Sequence, residues 1–324
     1  MRVLFAGSPA IAVPSLTALA GGGGTGFTLA GLLTNPDAPR GRSGRPEPTE
    51  CAAALTGLYG EIPVLKPERL DAEARERVSS LKSDLLVSFA YGKIFGPKFL
   101  ALFPAGGINV HPSLLPKYRG PAPIPAAILA RDSVTGITVQ RLAAEMDSGD
   151  ILMQETLPLC GRETTETLSL TVAAKSAEML AVLLGKMAAG TVTGRPQNPS
   201  EATYCKLTAK DDGIIDWNLG AAEIEARIRA YTPWPLCRTT HAGEDLFILK
   251  ALLPDPAVNP GLTGTEQPGR VLGKDANGGI LVQTGGGVLA VLELQYRARK
   301  ALGWKAFLNG ARNFIGDRLG EQKA

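Results

Sequence analysis

Asn109 and His111 stand two positions apart in the run Gly107-Ile108-Asn109-Val110-His111-Pro112-Ser113-Leu114-Leu115-Pro116. Residues 107–110 suit a buried strand, whose period-two geometry sends both side chains to one face at its C-terminal end. In open α/β sheets that end is where ligands bind. The segment 112–125 carries five prolines and Gly120, a stiff stretch able to present backbone groups at little ordering cost. Further on, Glu145-Met146-Asp147-Ser148-Gly149-Asp150 forms a polar loop between strands and can bring a carboxylate to the imidazole. Amide, imidazole and carboxylate make an acyl-transfer set. The amide donates to a developing oxyanion. The imidazole moves a proton or stabilises the oxyanion, and the carboxylate orients it. No Ser or Cys nucleophile is needed when an amine attacks directly. Each residue also has a plain structural reading. A histidine after a strand satisfies its own surroundings, Asn109 completes a turn, and Asp147 with Asp150 caps a turn or holds a cation. Spacing alone leaves these readings open.

The elements that must position this set alternate along the first half of the chain. Residues 2–5, 27–33 and 64–65 read as strands, and 85–89 and 107–110 as buried-type strands. A helix carrying Val13, Leu16 and Leu19 is expected after the turn Gly7-Ser8-Pro9, with others near 49–58, from Pro67, and over about 166–188. This alternation predicts an α/β domain, a Rossmann-like, mostly parallel sheet with helices on both faces. Residues 135–141 alternate apolar and polar, as a half-buried strand does. Gly, Pro, Asn and Ser in residues 190–203 read as a linker. Beyond it come a helix at 221–230, short strands at 246–252, 270–272, 280–283 and 288–294, and a closing helix near 304–314. Short strands at that spacing suggest a small barrel. The domain bounds are 1–189, a linker at 190–206, and 207–324.

Composition narrows the chemistry. At 324 residues the length suits about two domains. The 44% hydrophobic content supports a sizeable core, and the net charge of +3 leaves any nucleic-acid contact to local clusters. The four cysteines show no CxxC spacing and there are two histidines, so no metal site and no disulfide framework is expected. Reduced thiols fit a cytoplasmic protein. No signal-peptide pattern opens the chain, and no window of membrane-spanning length is free of charge. There is no G-x-G-x-x-G after the first strand and no P-loop, which disfavours a glycine-loop nucleotide site.

The run from Asn109 to Gly120, with residues 135–139 and 146–152, resembles the methionyl-tRNA formyltransferases. The first two-thirds of these residues are shared with the other 10-formyltetrahydrofolate transferases, so they point to the reaction more than to the acceptor. Phe5-Ala6-Gly7-Ser8-Pro9, Asn35-Pro36-Asp37 with Arg40-Gly41-Arg42, and Phe89-Ala90-Tyr91-Gly92 are similar to further family segments. So are Lys206-Leu207, Ile215-Asp216-Trp217 and Arg229-Ala230-Tyr231-Thr232-Pro233-Trp234-Pro235, in the C-terminal module. The resemblance implies catalysis by Asn109, His111 and Asp147. It implies folate contact by Phe89, Tyr91, Gly92, Ser113, Leu114, Leu115 and Pro116. It implies tRNA contact by Arg40, Arg42 and Arg45, and an OB-like β-barrel in the C-terminal domain. The implied co-substrate is 10-formyltetrahydrofolate with no metal, and the implied partner is methionyl initiator tRNA, met by a monomer without a membrane. The sequence departs from the family at Glu47 and Glu50, which follow Arg45 closely, and at Ala143-Ala144-Glu145 ahead of Asp147.

The arginines of the 40–45 loop, and Arg297, Arg299 and Lys300, suit phosphate contact or a solvated surface equally. Trp217 and Trp234 suit core packing better than base stacking, and His241 is expected at a surface hairpin turn. Two other functions compete with the tRNA reading: formylation of a small amine such as an amino sugar, and a non-catalytic RNA-binding protein.

Overall fold

The computed structural model describes residues 1–22, 26–39, 44–255, 257, 265–275, 277–311 and 313–321. Arg40 and Arg42 lie outside the described residues. The chain divides into two compact units. The first comprises Met1–Pro123, Val134–Pro158 and Leu168–Lys206, and the second comprises Ile124–Ser133, Leu159–Thr167 and Leu207–Ala324.

The first unit is built on β1 (Arg2–Ala6), α1 (Val13–Ala20), β2 (Thr28–Leu33), the two-residue ribbon of β3 (Ala38–Pro39) and β4 (Pro46–Glu47), α2 (Glu50–Leu58) and β5 (Val64–Leu65). These are followed by α3 (Ala72–Ser80), β6 (Leu85–Ser88), α4 (Pro97–Leu100), β7 (Gly107–His111), β8 (Val134–Arg141) and β9 (Ile151–Pro158). The sheet order is β5-β2-β1-β6-β7-β8-β9. The first five strands are parallel, and β8 and β9 continue the sheet antiparallel. The parallel core is as apolar as burial on both faces requires: Val3, Leu4, Phe5, Leu85, Leu86 and Val87 are buried. Chain order reverses between β1 and β6, where a doubly wound sheet opens a crevice at the strands' C-terminal ends.

Caps decide where helices begin. Thr49 Oγ1 accepts from the Ala52 N–H at 3.2 Å and starts α2. Asp71 accepts from the Ala74 N–H at 3.0 Å, so α3 starts at Ala72 rather than at the expected Pro67. The long helix α6 (Thr165–Ala188) is long and apolar enough to cross a membrane by length and composition. Its buried residues, including Leu168, Val172, Met179, Leu180 and Leu183, follow helical spacing and form one apolar stripe.

Two features of the first unit differ from the sequence expectation. Residues 135–140 of β8 are buried throughout, so the strand is covered on both faces and its polar residues face protein. Residues 190–206, expected as a linker, group with the first unit. Arg195 bridges Ile151 and Tyr204 bridges Arg119. Their Gly, Pro and Asn content breaks regular structure, but single β-bridges satisfy the backbone without it.

The second unit holds most of α5 (Pro123–Leu129), then α7 (Ala221–Ala230), β10 (Cys237–His241), β11 (Glu244–Leu252), β12 (Val271–Lys274), β13 (Ile280–Gln283), β14 (Val288–Tyr296), β15 (Leu302–Gly303) and α8 (Trp304–Gly310). The sheet is antiparallel in the order β10-β11-β14-β13-β12, with β15 on β14. Leu246, Ile248, Ile280, Val282, Leu289 and Val291 are buried on it. His241 ends β10 at the expected hairpin, where Ala242 and Gly243 take positive φ. It is not a surface residue, however. Its ring lies edge-on to Phe314 at 4.7 Å and hydrogen-bonds Tyr296 and Asp317. Trp217 is buried, as expected, and donates to Thr239 Oγ1 at 3.0 Å. Trp234 departs from the core expectation, with 57% of its surface exposed.

Candidate active site

Strand β7 delivers Asn109 and His111 to one face of the sheet. In the antiparallel pairing with β8, Asn109 lies opposite Gln140 and His111 opposite Thr138. Thr138 in turn lies opposite Gln154 of β9. Directly opposed residues share a face, so these five side chains form a polar band across an otherwise apolar sheet. Within it, Thr138 Oγ1 donates to the Ser113 carbonyl at 2.7 Å and accepts from the Leu115 N–H at 3.1 Å, pinning the loop that follows β7. Gln154 Nε2 donates to the Leu115 carbonyl at 3.0 Å. The Asn109 amide has no hydrogen-bond partner among the described residues and is only partly buried, so its N–H groups are open to a bound oxygen.

His111 is buried, and both ring nitrogens face acceptors. Nε2 lies 2.8 Å from the Tyr118 carbonyl, and Nδ1 lies 3.5 Å from Asp147 Oδ2. The carbonyl can only accept, so Nε2 carries a proton and the second proton would enter on the Asp147 side. Burial holds the imidazole below its ordinary pKa, opposed by the Asp147 carboxylate and the Tyr118 carbonyl. The resting ring is therefore neutral near pH 7, and a proton it gains is stabilised by Asp147.

Asp147 is itself held from several sides. Oδ2 accepts from the Gly120 N–H at 2.8 Å, and Oδ1 accepts from Gln140 Nε2 at 2.9 Å. Its φ is +52°, a left-handed conformation that a non-glycine residue keeps only when its surroundings impose it. Gly149 explains part of that imposition. A Cβ there would collide with the Arg141 carbonyl, so only glycine lets the 142–150 loop lie against β8. Gly120, at φ +115°, likewise packs on the Cys205 carbonyl with no room for a side chain.

The expected folate residues fall into two groups. Phe89 and Tyr91 are core aromatics. Tyr91 stacks on Phe95 at 5.4 Å and packs with Leu4, Leu86, Phe99 and Phe103. Burial pushes its phenol up to about 12. Both side chains are buried at the strand end, and Ala90 and Gly92 are the exposed members of that segment. Ser113 is also turned inward, its Oγ donating to the Lys117 carbonyl at 2.6 Å, and Leu115 is buried. Leu114 and Pro116 are partly exposed.

Arg45 is the described member of the expected arginine loop and is exposed. In the second unit, Arg297 pairs with Asp245 at 3.0 Å and Arg299 with Glu244 at 3.1 Å. These are solvent-exposed ion pairs, so that cluster is partly neutralised. Among the described residues no group of His, Cys, Asp and Glu is arranged to hold a metal ion. Cys205, near Asp147, has its thiol pushed up by burial and is no ready nucleophile.

Sequence reasoning missed Gln140, Gln197 and Arg119. Gln140 was readable in principle, as a polar residue two positions from Thr138 on a strand facing β7. Gln197 carried no local signal.

Residues 1–184 match the family described as formyl transferase, and residues 208–312 match the formyl transferase C-terminal domain. A protein of Treponema denticola named Methionyl-tRNA formyltransferase is 49% identical over 97% of this chain and 98% of its own length. One of the same name from Chloroflexus aggregans is 42% identical over 96% of this chain and 97% of its own length. Among solved structures, the N-formyltransferase of Helicobacter canadensis has the same fold at a TM-score of 0.63 and 18% identity, covering 91% of this chain and 99% of that one. HypX of Aquifex aeolicus, in complex with tetrahydrofolic acid, matches at a TM-score of 0.62 and 15% identity over 97% of this chain and 48% of that one.

Proposed function

The chain belongs to the formyl transferase family, and on that premise we propose that it transfers the formyl group of 10-formyltetrahydrofolate to the α-amine of methionyl initiator tRNA. The observation that carries the acceptor is the 49% identity, across nearly the whole of both chains, to a relative named for that reaction. The geometry supports the chemistry. The Asn109 amide, without a hydrogen-bond partner among the described residues, stands two residues from a buried imidazole backed by a carboxylate.

In this reading the neutral α-amine attacks the formyl carbon, and a new N–C bond forms as the carbonyl becomes an oxyanion. Asn109 donates to that oxyanion. The attacking nitrogen gives up a proton, the His111–Asp147 pair stabilises the charge as that proton moves, and N10 of the folate leaves with a proton as its bond to carbon breaks. No net proton or electron is consumed. The loop 113–116 contacts the folate through Leu114 and Pro116, and the segment 89–92 through its backbone and Gly92. Arg40, Arg42 and Arg45 approach the tRNA. Residues 1–189 carry catalysis, and the C-terminal module 207–324 carries tRNA contact. The protein acts as a cytoplasmic monomer without membrane attachment, in line with its free cysteines.

The test offers purified protein the formyl-folate donor with charged initiator tRNA, and separately with small amines such as an amino sugar nucleotide, and measures formyl incorporation. Formylation of the tRNA is the expected result. Formylation of small amines alone would overturn the acceptor assignment.

A further inference from the structure

We infer that residues 195–205 complete the formyl-transfer site, with Gln197 and Arg119 as positioning residues for Asp147 and His111. The inference rests on the catalytic reading of that pair given above.

Gln197 is 9% exposed, and its side-chain amide is saturated at both ends. Nε2 donates to the carbonyls of Asp147 and Gly149, both at 2.8 Å, and lies 3.2 Å from Gln140 Oε1. Oε1 accepts from Arg119 Nε at 3.1 Å and from Nη2 at 2.8 Å. The amide cannot be flipped, because its oxygen would then face two carbonyls and its nitrogen a guanidinium. Gln197 thus holds the backbone of the left-handed Asp147, while Gln140, which it also touches, holds the carboxylate. Its hydrogen bonds to the 140–149 region all converge on the placement of that one residue.

Arg119 is the more unusual member. It is 4% exposed and has no carboxylate partner among the described residues. A buried guanidinium without a counter-ion is costly and persists where its hydrogen bonds have work to do. Its donors go to Gln197 and to Tyr204 Oη at 3.3 Å. Its backbone zips to the same segment. The Arg119 N–H donates to the Thr203 carbonyl, and the Cys205 N–H donates to the Arg119 carbonyl, both at 2.8 Å. The Tyr118 N–H donates to Thr203 Oγ1 at 2.8 Å. On either side of Arg119 lie the two backbone groups that set the site, the Tyr118 carbonyl on His111 and the Gly120 N–H on Asp147. One segment therefore anchors both loops, the 116–120 loop through backbone pairing and the 147–149 loop through Gln197. Arg119 joins the two anchors.

Three variants test this with the full-length protein, the formyl-folate donor and charged tRNA. Gln197→Leu removes every hydrogen bond of the amide. Gln197→Glu keeps an acceptor for Arg119 but has no donor for the Asp147 and Gly149 carbonyls. A misplaced reacting group costs up to about a hundredfold in rate. We expect kcat to fall about 10- to 100-fold in both, with KM for the donor within about threefold. In Gln197→Leu the NMR-measured pKa of His111 falls further below the wild-type value, because the opposing carboxylate is no longer held against it. If Gln197 only satisfies Arg119 as a packing device, Gln197→Glu retains wild-type kcat, and that result overturns the inference. A kcat loss in Gln197→Leu with an unmoved His111 pKa overturns it as well. Should Gln197→Leu not fold, the kcat of Gln197→Glu decides. His111→Ala, the third variant, separates the two levels. Full activity there would remove the catalytic reading and this inference with it. An inactive His111→Ala beside fully active Gln197 variants would remove the inference alone.

Discussion

His111 and His241 each face an aspartate, Asp147 at 3.5 Å and Asp317 at 3.0 Å, and they are the two histidines of the chain. The surroundings differ in three ways. Asp147 is mostly buried, with 13% of its side chain exposed, and its two oxygens are already held by Gly120 and Gln140. Asp317 is 47% exposed. The second nitrogen of His111 meets a backbone carbonyl, whereas that of His241 meets the Tyr296 hydroxyl at 2.5 Å within a cluster that includes Phe307 and Phe314. Beside His111 lies the Asn109 amide with no partner among the described residues. A histidine–aspartate pair is thus not by itself a site. The first pair is buried, held by neighbouring hydrogen bonds and next to an open donor, and the second is a polar staple tying β10 to the C-terminal segment.

The sharpest way to break this contrast is to remove each ring. His111→Ala should lower the formylation rate about a hundredfold or more, the scale of a positioned acid–base group. His241→Ala should leave kcat within about twofold once folded protein is counted. Equal losses would abolish the distinction. A smaller effect is expected at the carboxylates. Asp147→Asn keeps an acceptor for Gly120 but removes the charge facing His111, so the rate should drop about tenfold or more and the His111 pKa should fall further. Asp317→Asn should change the rate little and stability by no more than about 1 kcal/mol, as for a partly exposed pair. In urea unfolding, His241→Ala should cost about 1–3 kcal/mol, since it leaves the buried side of its aromatic cluster unfilled and Tyr296 without its partner.

The smallest effect concerns acid. The folded pKa of His111 lies below its unfolded value near 6.5, chiefly through burial. Between the two values the unfolded chain binds the extra proton, so folding stability is lost as pH drops below about 6.5 and levels off below the folded pKa. Urea midpoints measured from pH 7.5 to 5 should show that slope in wild type and a shallower one in His111→Gln. Identical slopes would mean that His111 is not held neutral by its surroundings.

Much of the first unit was legible from local pattern. The buried strands β1, β2, β6 and β7 show as apolar runs, and period two alone put Asn109 and His111 on one face. Helix α5 was hidden because Pro123 and Pro125 belong to a proline-rich stretch that reads as irregular, although prolines fit a helix's first turn. Phe89 and Tyr91, expected at the folate, are buried. Aromatic residues at a strand end serve a pocket or a core equally well in sequence, and the packing of Tyr91 with Phe95 and Phe99 is set by the tertiary structure.

Local periodicity, turn chemistry and the motif around Asn109 and His111 were determined by the sequence itself, because strand and turn geometry act between residues a few positions apart. Which groups close around that motif was decided only by tertiary structure. Gln197 lies 50 residues from Asp147, and Arg119 lies 78 residues from Gln197, in stretches whose composition favours loops. Partners at such distances are chosen by the path of the whole chain. A buried hydrogen-bonding group must find some partner, but its own neighbours in sequence do not say which.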